Sequence, residues 1–154
     1  MNKKNKSLSK ITSENFDSFI ENILEGLEYT EVPSNQFMVS KFLNQQIYAK
    51  KYPIKKTIYN TATTCDFAVY HPDKHPNGLS IEARWQQSSG TVDEKYPYLV
   101  QNIKLHYSFK TIIILDGGGY RVGAEKWLRD QVDNKLIAVL NMTEFQKWVN
   151  DGGL

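Results

Sequence analysis

A run of aliphatic residues in the second half of the chain most constrains its fold. The run reads Thr-Ile-Ile-Ile-Leu over residues 111–115, and Asp-Gly-Gly-Gly follows it at residues 116–119. A continuous apolar segment that ends in turn residues predicts a strand buried on both faces of a sheet. Such a sheet needs helices on both of its sides, so the chain is expected to have an α/β fold.

Periodicity elsewhere in the chain predicts the remaining helices and strands. We predict helices over residues 12–26, 91–107 and 124–132, a last helix capped by Thr143, and strands at 36–40, 64–70, 79–86 and 136–140. Pro97 should either lie in the first turn of its helix or kink that helix. The expected fold is a three-layer α-β-α arrangement with a central mixed sheet, in the order α-β-β-β-α-β-α-β-α.

Length and composition fit one globular domain. The chain has 154 residues, of which 40% are hydrophobic, and this is enough to bury a core. We expect a single domain over residues 1–154, with a flexible basic tail at 1–11 and a poorly patterned insertion at 41–63. No apolar segment follows the basic N-terminus, so we expect neither a signal peptide nor a membrane anchor, and a cytoplasmic location.

Lysines and tyrosines are interleaved within the predicted insertion. They are Lys50, Lys51, Lys55 and Lys56 together with Tyr48, Tyr52 and Tyr59. Such a cluster can follow a phosphate backbone while a tyrosine such as Tyr52 stacks on bases. The formal net charge of +2 is too small to indicate nucleic-acid binding by itself. A solvated loop whose tyrosines pack on the core is an equally open interpretation.

Polar and apolar residues alternate along the strand predicted at 79–86. One face carries Ile81, Ala83 and Trp85, and the other carries Glu82, Arg84 and Gln86. A row of acid, cation and amide on such a strand costs free energy unless each group has a partner, so this row is a candidate site. Residues 71–78 are rich in Pro, Asn and Gly and predict a turn, which lets Asp66 on the preceding strand face Glu82.

Asp66, Glu82 and Arg84 together resemble the motif of the PD-(D/E)XK nuclease superfamily, in which an Asp precedes a strand that carries Glu-x-Lys. Gln86 and the order of predicted elements extend the resemblance to a restriction-endonuclease-like fold. The resemblance implies a nuclease that hydrolyses phosphodiester bonds, with DNA as the favoured substrate and Mg2+ or Mn2+ as the cofactor. It implies metal ligands from Asp66, Glu82 and the main-chain carbonyl of Ala83, and one acid from the first helix, for which we choose Glu21.

Arg84 stands where the superfamily usually has lysine. A guanidinium can orient and stabilise other groups but cannot take a proton from water. Lys95, at the start of the next helix, can supply an ammonium group instead, and Gln86 can orient water or backbone. The superfamily's double-strand cutters usually work as dimers, so a homodimer is a further hypothesis.

Two interpretations from other functional classes stay open. In the first, the protein is a catalytically inactive DNA- or RNA-binding module of the same fold, in which Arg84 forms a structural ion pair with Glu82. In the second, the glycines at 117–119 form an anion-binding loop of a small-molecule-binding domain. We favour a plain strand-to-helix turn for these glycines, because their spacing matches neither the dinucleotide-binding nor the P-loop motif.

Overall fold

Six strands and five α-helices make up the part of the chain that the computed structural model describes, which is residues 3–87 and 91–154, with side chains for residues 15–87 and 93–154. The helices are α1 (Lys3–Gly26), α2 (Phe37–Ser40), α3 (Lys95–His106), α4 (Val122–Asp130) and α5 (Met142–Asn150). The strands are β1 (Thr30–Glu31), β2 (Ile47–Ile54), β3 (Thr63–His71), β4 (His75–Trp85), β5 (Lys110–Asp116) and β6 (Leu136–Leu140).

The strands form one mixed sheet in the order β1-β2-β3-β4-β5-β6. Strands β2, β3 and β4 are an antiparallel meander, whereas β5 and β6 run parallel to β4, and β1 runs parallel to β2. Parallel neighbours need crossover connections. Helix α3 lies in the connection from β4 to β5, and α4 in the connection from β5 to β6.

Helices cover both faces of this sheet, which confirms the predicted α/β fold class. On one face, α1 and α5 bury Ile20, Leu24 and Phe145, and on the other face α3 and α4 bury Ile103 and Leu128. Strand β5 contributes to both cores, because Ile112 and Ile114 belong to the first and Ile113 and Leu115 to the second. The aliphatic run at 111–115 is therefore a central strand that is buried on both sides.

The strand predicted at residues 36–40 is wrong. This segment is helical, with a 3-10 turn at Ser34–Gln36 followed by α2. Phe37 is buried, but Met38 is 50% exposed and Val39 is 69% exposed, so the segment offers no alternating face to a sheet.

The first long strand is instead β2, which lies inside the segment predicted as an insertion at 41–63. It begins with Ile47, Tyr48 and Ala49, which are all buried, and continues with exposed Lys50 and Lys51. The pair of lysines interrupts the apolar pattern, so sequence periodicity gave no strand there.

The ends of two helices also differ from their predicted positions. Helix α1 begins at Lys3, so residues 3–11 are helical rather than a flexible tail, while residues 1 and 2 of that predicted tail lie outside the described residues. The helix predicted at 91–107 begins with a 3-10 turn at Thr91–Glu94, and α3 starts at Lys95. Pro97 therefore lies in the first turn of α3, where its missing N–H costs nothing.

Strands β3 and β4 pair over only part of their lengths. Their register includes Val69 opposite Leu79 and ends, among the described residues, with Phe67 opposite Ile81. Beyond this point β3 stays paired with β2, and β4 stays paired with β5 as far as Trp85 opposite Asp116. The two strands thus separate where Asp66 and Glu82 follow the last pair, and the candidate site lies at this separation.

Candidate active site

Asp66 occupies the position on β3 where pairing with β4 ends. Its Oδ2 atom accepts a hydrogen bond of 2.8 Å from the backbone N–H of Ala83, and its Oδ1 atom lies 3.1 Å from the Nζ atom of Lys51. The carboxylate therefore satisfies a β4 donor at the point where the strands part. Burial acts to raise the pKa of Asp66, but Arg84, the Ala83 N–H and Lys51 outweigh it and hold that pKa below its usual value.

Lys51, opposite Asp66, has an unusual backbone conformation. Its φ is 51°, in the left-handed region that costs a residue with a Cβ roughly 1–2 kcal/mol. On one side of this position Tyr48 and Phe67 pack in the core beneath α1, whereas on the other side Tyr52 and Cys65 pack against the core beneath α3. The strained residue thus marks the point at which β2 and β3 turn over. On one side of it their large side chains face the core beneath α1, and on the other side they face the core beneath α3.

Glu82 is the buried acid of the site, with only 1% of its surface exposed. The hydroxyl of Tyr107 donates a hydrogen bond to its Oε1 atom, and Arg84 Nη1 lies 3.0 Å from its Oε2 atom. Burial is the main cause that raises the pKa of Glu82 to about 7, while the positive charge of Arg84 opposes this shift. This carboxyl group therefore changes its charge near neutral pH.

One nitrogen atom of Arg84 contacts the oxygen atoms predicted to bind metal. Nη1 lies 3.1 Å from Asp66 Oδ2 and 3.0 Å from Glu82 Oε2, and it donates a 2.9 Å hydrogen bond to the carbonyl oxygen of Ala83. Burial acts to lower the pKa of Arg84, but the two carboxylates outweigh it and raise that pKa. A charged nitrogen therefore occupies the point on which the three oxygens converge.

This set of donors fits a hard divalent cation. Two carboxylate oxygens and one main-chain carbonyl are the oxygen ligands that Mg2+ and Mn2+ prefer. Among the described side chains, those of residues 15–87 and 93–154, no three from His, Cys, Asp or Glu are grouped to hold a metal ion. Metal ligation by Asp66, Glu82 and the Ala83 carbonyl stays a prediction of the sequence.

Gln86 is held in place by α3 and by the glycine-rich loop. The Tyr96 hydroxyl donates to its Oε1 atom, while its backbone oxygen accepts a 2.8 Å hydrogen bond from the N–H of Gly119. A Cβ atom on Gly117 would lie 2.3 Å from that backbone oxygen, and the φ of Gly117 is 107°. Gly117 therefore allows the close approach of this loop to the backbone of Gln86, just after β4.

Lys95 and Arg84 line the same cavity, which has a volume of about 310 Å3. The cavity lies between the start of β3 and the first turns of α3, and Tyr107 closes one side of it. Lys95 is the first residue of α3 and is exposed. The second cation predicted for the site thus reaches the cleft that Arg84 reaches from β4.

Comparison with known proteins decides the family. The family model for the PD-(D/E)XK nuclease superfamily domain matches residues 9–152. The chain belongs to this superfamily. Searches of curated proteins and of solved structures found no match. The superfamily's nucleases act on nucleic acids and typically use divalent metal ions.

Two acids of α1, Glu21 and Asp17, lie in different environments. Glu21, the acid chosen from the sequence, lies 2.9 Å from Lys50 and accepts a 3.0 Å hydrogen bond from the Tyr48 hydroxyl. Asp17, one turn earlier, is the α1 acid whose pKa is raised by partial burial and by the charge of Asp66. Acids repeat along the polar side of this helix, so the sequence alone did not distinguish Asp17 from its neighbours.

The residues of the predicted nucleic-acid-binding cluster lie in four environments. Lys50 is paired with Glu21, and Lys51 is paired with Asp66 in the candidate site. Lys55 and Lys56 are exposed. The half-buried Tyr52 ring lies 5.4 Å from the rings of both Phe37 and Phe109, and its stacking on bases stays a prediction.

A different tyrosine pair lies beside the cavity. The rings of Tyr59 and Tyr98 stack with centroids 5.1 Å apart, and Tyr59 is 73% exposed. Tyr98 also lines the cavity that contains Arg84 and Lys95.

In the part of the chain that the structure describes, no helix has the length and apolar character needed to cross a membrane.

Proposed function

We propose that this domain is a metal-dependent endonuclease that hydrolyses phosphodiester bonds, with DNA as its substrate. The observation that carries the proposal is the convergence of Asp66 Oδ2, Glu82 Oε2 and the Ala83 carbonyl on one point, at the place where β3 and β4 separate. Membership of the nuclease superfamily supports the same chemistry. Mg2+ or Mn2+ would be held by these three oxygens.

Each residue of the site has a role that follows from its charge and position. When bound, the divalent metal would act as a Lewis acid on the scissile phosphate and lower the pKa of the attacking water. Asp66 and Glu82 provide the negative charge that holds the cation. Arg84 and Lys95, which line one cavity, stabilise the charge that develops on the phosphate oxygens. Attack of water on phosphorus then breaks one phosphorus–oxygen bond of the backbone.

Several surface groups around the cavity suit a polynucleotide. The Tyr59 and Tyr98 pair presents an exposed ring on which a base can stack. Lys55 and Lys56, which precede Tyr59 by four and three residues, are exposed and can contact phosphate groups. A protein that cuts both strands needs two such sites, which a homodimer would provide. A mass that stays monomeric with and without DNA would count against the dimer.

The proposal is tested by cleavage assays on supercoiled plasmid, single-stranded DNA and RNA in Mg2+, Mn2+ or EDTA. Glu82→Gln and Asp66→Asn remove the charges of the two ligands while they keep the side-chain shapes. Asp130→Asn is the matched control, because Asp130 is an exposed acid of α4 that pairs with Lys126. We expect metal-dependent cleavage by the wild type and by the control, and its loss in both ligand variants. Equal cleavage by the wild type and Glu82→Gln would refute the proposal.

A second candidate function is nucleic-acid binding without catalysis. The ion pairs from Arg84 to both Asp66 and Glu82 favour it, because these carboxylates are already neutralised by a side chain. This alternative predicts that DNA or RNA is bound but remains intact in every metal. It also predicts that Mn2+ changes neither the melting temperature nor the affinity for DNA beyond the effect of ionic strength.

A further inference from the structure

The contacts of Arg84 match the proposed metal ligands atom for atom. Its Nη1 atom lies 2.9–3.1 Å from the Ala83 carbonyl, Glu82 Oε2 and Asp66 Oδ2. Mg2+ binds oxygen ligands at about 2.0–2.1 Å, so it would have to sit among the same three atoms. A guanidinium nitrogen and a metal ion cannot occupy one position together.

We propose that Arg84 competes with the metal for its ligands and leaves them when the phosphate of a substrate enters the cavity. The proposal rests on the proposed nuclease function and adds a regulatory step to it. Metal affinity is low in the free protein, because the guanidinium holds Asp66, Glu82 and the Ala83 carbonyl. Once a phosphate draws the guanidinium away, the three oxygens become available. Metal and nucleic acid therefore bind cooperatively.

The structure provides a place for the displaced guanidinium. Arg84 already lines the cavity of about 310 Å3, and Lys95 reaches the same cavity. Two cations at one cavity attract a phosphate group, and a guanidinium can bind phosphate through two parallel hydrogen bonds. The carboxylates and an entering phosphate thus compete for the guanidinium of Arg84. When the guanidinium leaves the carboxylates, its hydrogen bonds to the phosphate replace the contacts that it loses.

Arginine has a property that makes this competition persistent. A guanidinium stays protonated at every working pH. Arg84 can therefore free the ligands only by moving. If it holds them for about 90% of the time, the apparent dissociation constant of the metal is raised about tenfold.

Lys51 provides a matched control within the same site. Its Nζ atom lies 3.1 Å from Asp66 Oδ1, the carboxylate oxygen that Arg84 does not contact. Lys51→Met and Arg84→Met each remove one positive charge that is paired with Asp66. Only the Arg84 variant removes the atom from the position shared by the three oxygens. The difference between the two variants thus separates occupancy of the site from net charge.

The first measurement is Mn2+ binding to the free protein by calorimetry, at about pH 8 so that Glu82 is ionised. We expect Arg84→Met to bind Mn2+ about tenfold more tightly than the wild type, and Lys51→Met to change the affinity by less than about threefold. Far-UV circular dichroism melts establish that both variants are folded. Equal affinity in the wild type and Arg84→Met, an equal gain in Lys51→Met, or no binding by folded Arg84→Met would each overturn the competition.

The second measurement tests cooperativity with a duplex whose linkages are all phosphorothioate and resist cleavage. Its affinity is measured by fluorescence anisotropy with and without Mn2+ at constant ionic strength. Because coupling is reciprocal, Mn2+ should raise the affinity of the wild type at least about fivefold. The rise should be smaller in Arg84→Met, because there only the contact between metal and phosphate contributes to it. Equal rises in both proteins would overturn the displacement by phosphate.

Cleavage by the wild type tests the nuclease proposal separately from the competition. Metal-dependent cleavage by the wild type with equal Mn2+ affinities in the wild type and Arg84→Met would leave a nuclease without competition by Arg84. Tighter Mn2+ binding by Arg84→Met without any cleavage by the wild type would support the competition in a protein that is not a nuclease.

Discussion

Substitution of Glu82 by glutamine should remove a pH dependence of stability that the site contributes near neutral pH. Glu82 is buried, and its pKa is raised to about 7 mainly by that burial. The pKa of Asp66 is instead held below its usual value, so this second acid stays ionised throughout the same pH range. A change in stability between about pH 5 and pH 8 from these two acids therefore comes from Glu82.

The size and the sign of the effect follow from the two pKa values. The ordinary pKa of the group is 4.5 and the folded value is about 7, a difference of roughly 2.5 units that corresponds to roughly 3 kcal/mol. Because folding raises this pKa, the stabilising contribution is fully present below about pH 4.5 and is lost as the pH rises through about 7. The wild type should thus lose stability relative to Glu82→Gln over this range.

Urea unfolding in EDTA at a series of pH values measures this difference directly. The free energy of unfolding of the wild type minus that of Glu82→Gln should fall by roughly 3 kcal/mol from about pH 4.5 to pH 8. Asp130→Asn, measured in parallel, controls for the loss of a carboxylate at the surface. A difference that stays constant with pH, or that rises with pH, would refute the assignment of Glu82 as a buried acid that titrates near neutrality.

Four further substitutions test Tyr107, the glycine loop and Tyr59. Tyr107→Phe removes a hydrogen bond that lowers the pKa of Glu82, so that pKa should rise. The acidic limb of the pH–rate profile for single-turnover cleavage should therefore move to higher pH. An unchanged limb would contradict this role of Tyr107. Gly117→Ala should lower the free energy of unfolding by about 1–3 kcal/mol or more, since it adds a clash with Gln86 to backbone strain. Gly118 also has a positive φ but has open space around it, so Gly118→Ala should lower the free energy of unfolding by less in the same urea titration. Tyr59→Ala should weaken single-stranded DNA binding by about 1–3 kcal/mol in anisotropy titrations and leave Mn2+ affinity unchanged, and equal DNA affinity would exclude base stacking on this ring.

The central part of the fold could be predicted because its sequence pattern has one physical solution. The aliphatic run at 111–115 can be buried only between two helical layers, and β5 is buried on both faces. Alternation along 79–86 predicted correctly that Ile81 and Glu82 lie on opposite faces of β4. Here local periodicity and tertiary burial favour the same structure, which is the condition under which a sequence pattern is reliable.

The edge of the sheet could not be predicted in the same way. In β2, buried Tyr48 is followed by exposed Lys50 and by Lys51 in a left-handed conformation, so regular alternation breaks down. The lysines resemble a solvated loop unless their partners Glu21 and Asp66 are known. These partners lie 29 and 15 residues away in the sequence, beyond the reach of any local pattern.

In the competition that we propose, Arg84 links the stability of the domain to its affinity for metal. Glu82 and Asp66 lie close together in a poorly solvated place, so their charges destabilise the fold unless a cation is near. In this structure Arg84 supplies that cation through contacts of 3.0 and 3.1 Å. Its removal leaves Asp66 with Lys51 as its cationic partner, takes from Glu82 its ion pair with Arg84, and frees both carboxylates for a divalent ion. Stability without metal and affinity for metal should therefore change in opposite directions when Arg84 is replaced by an uncharged residue.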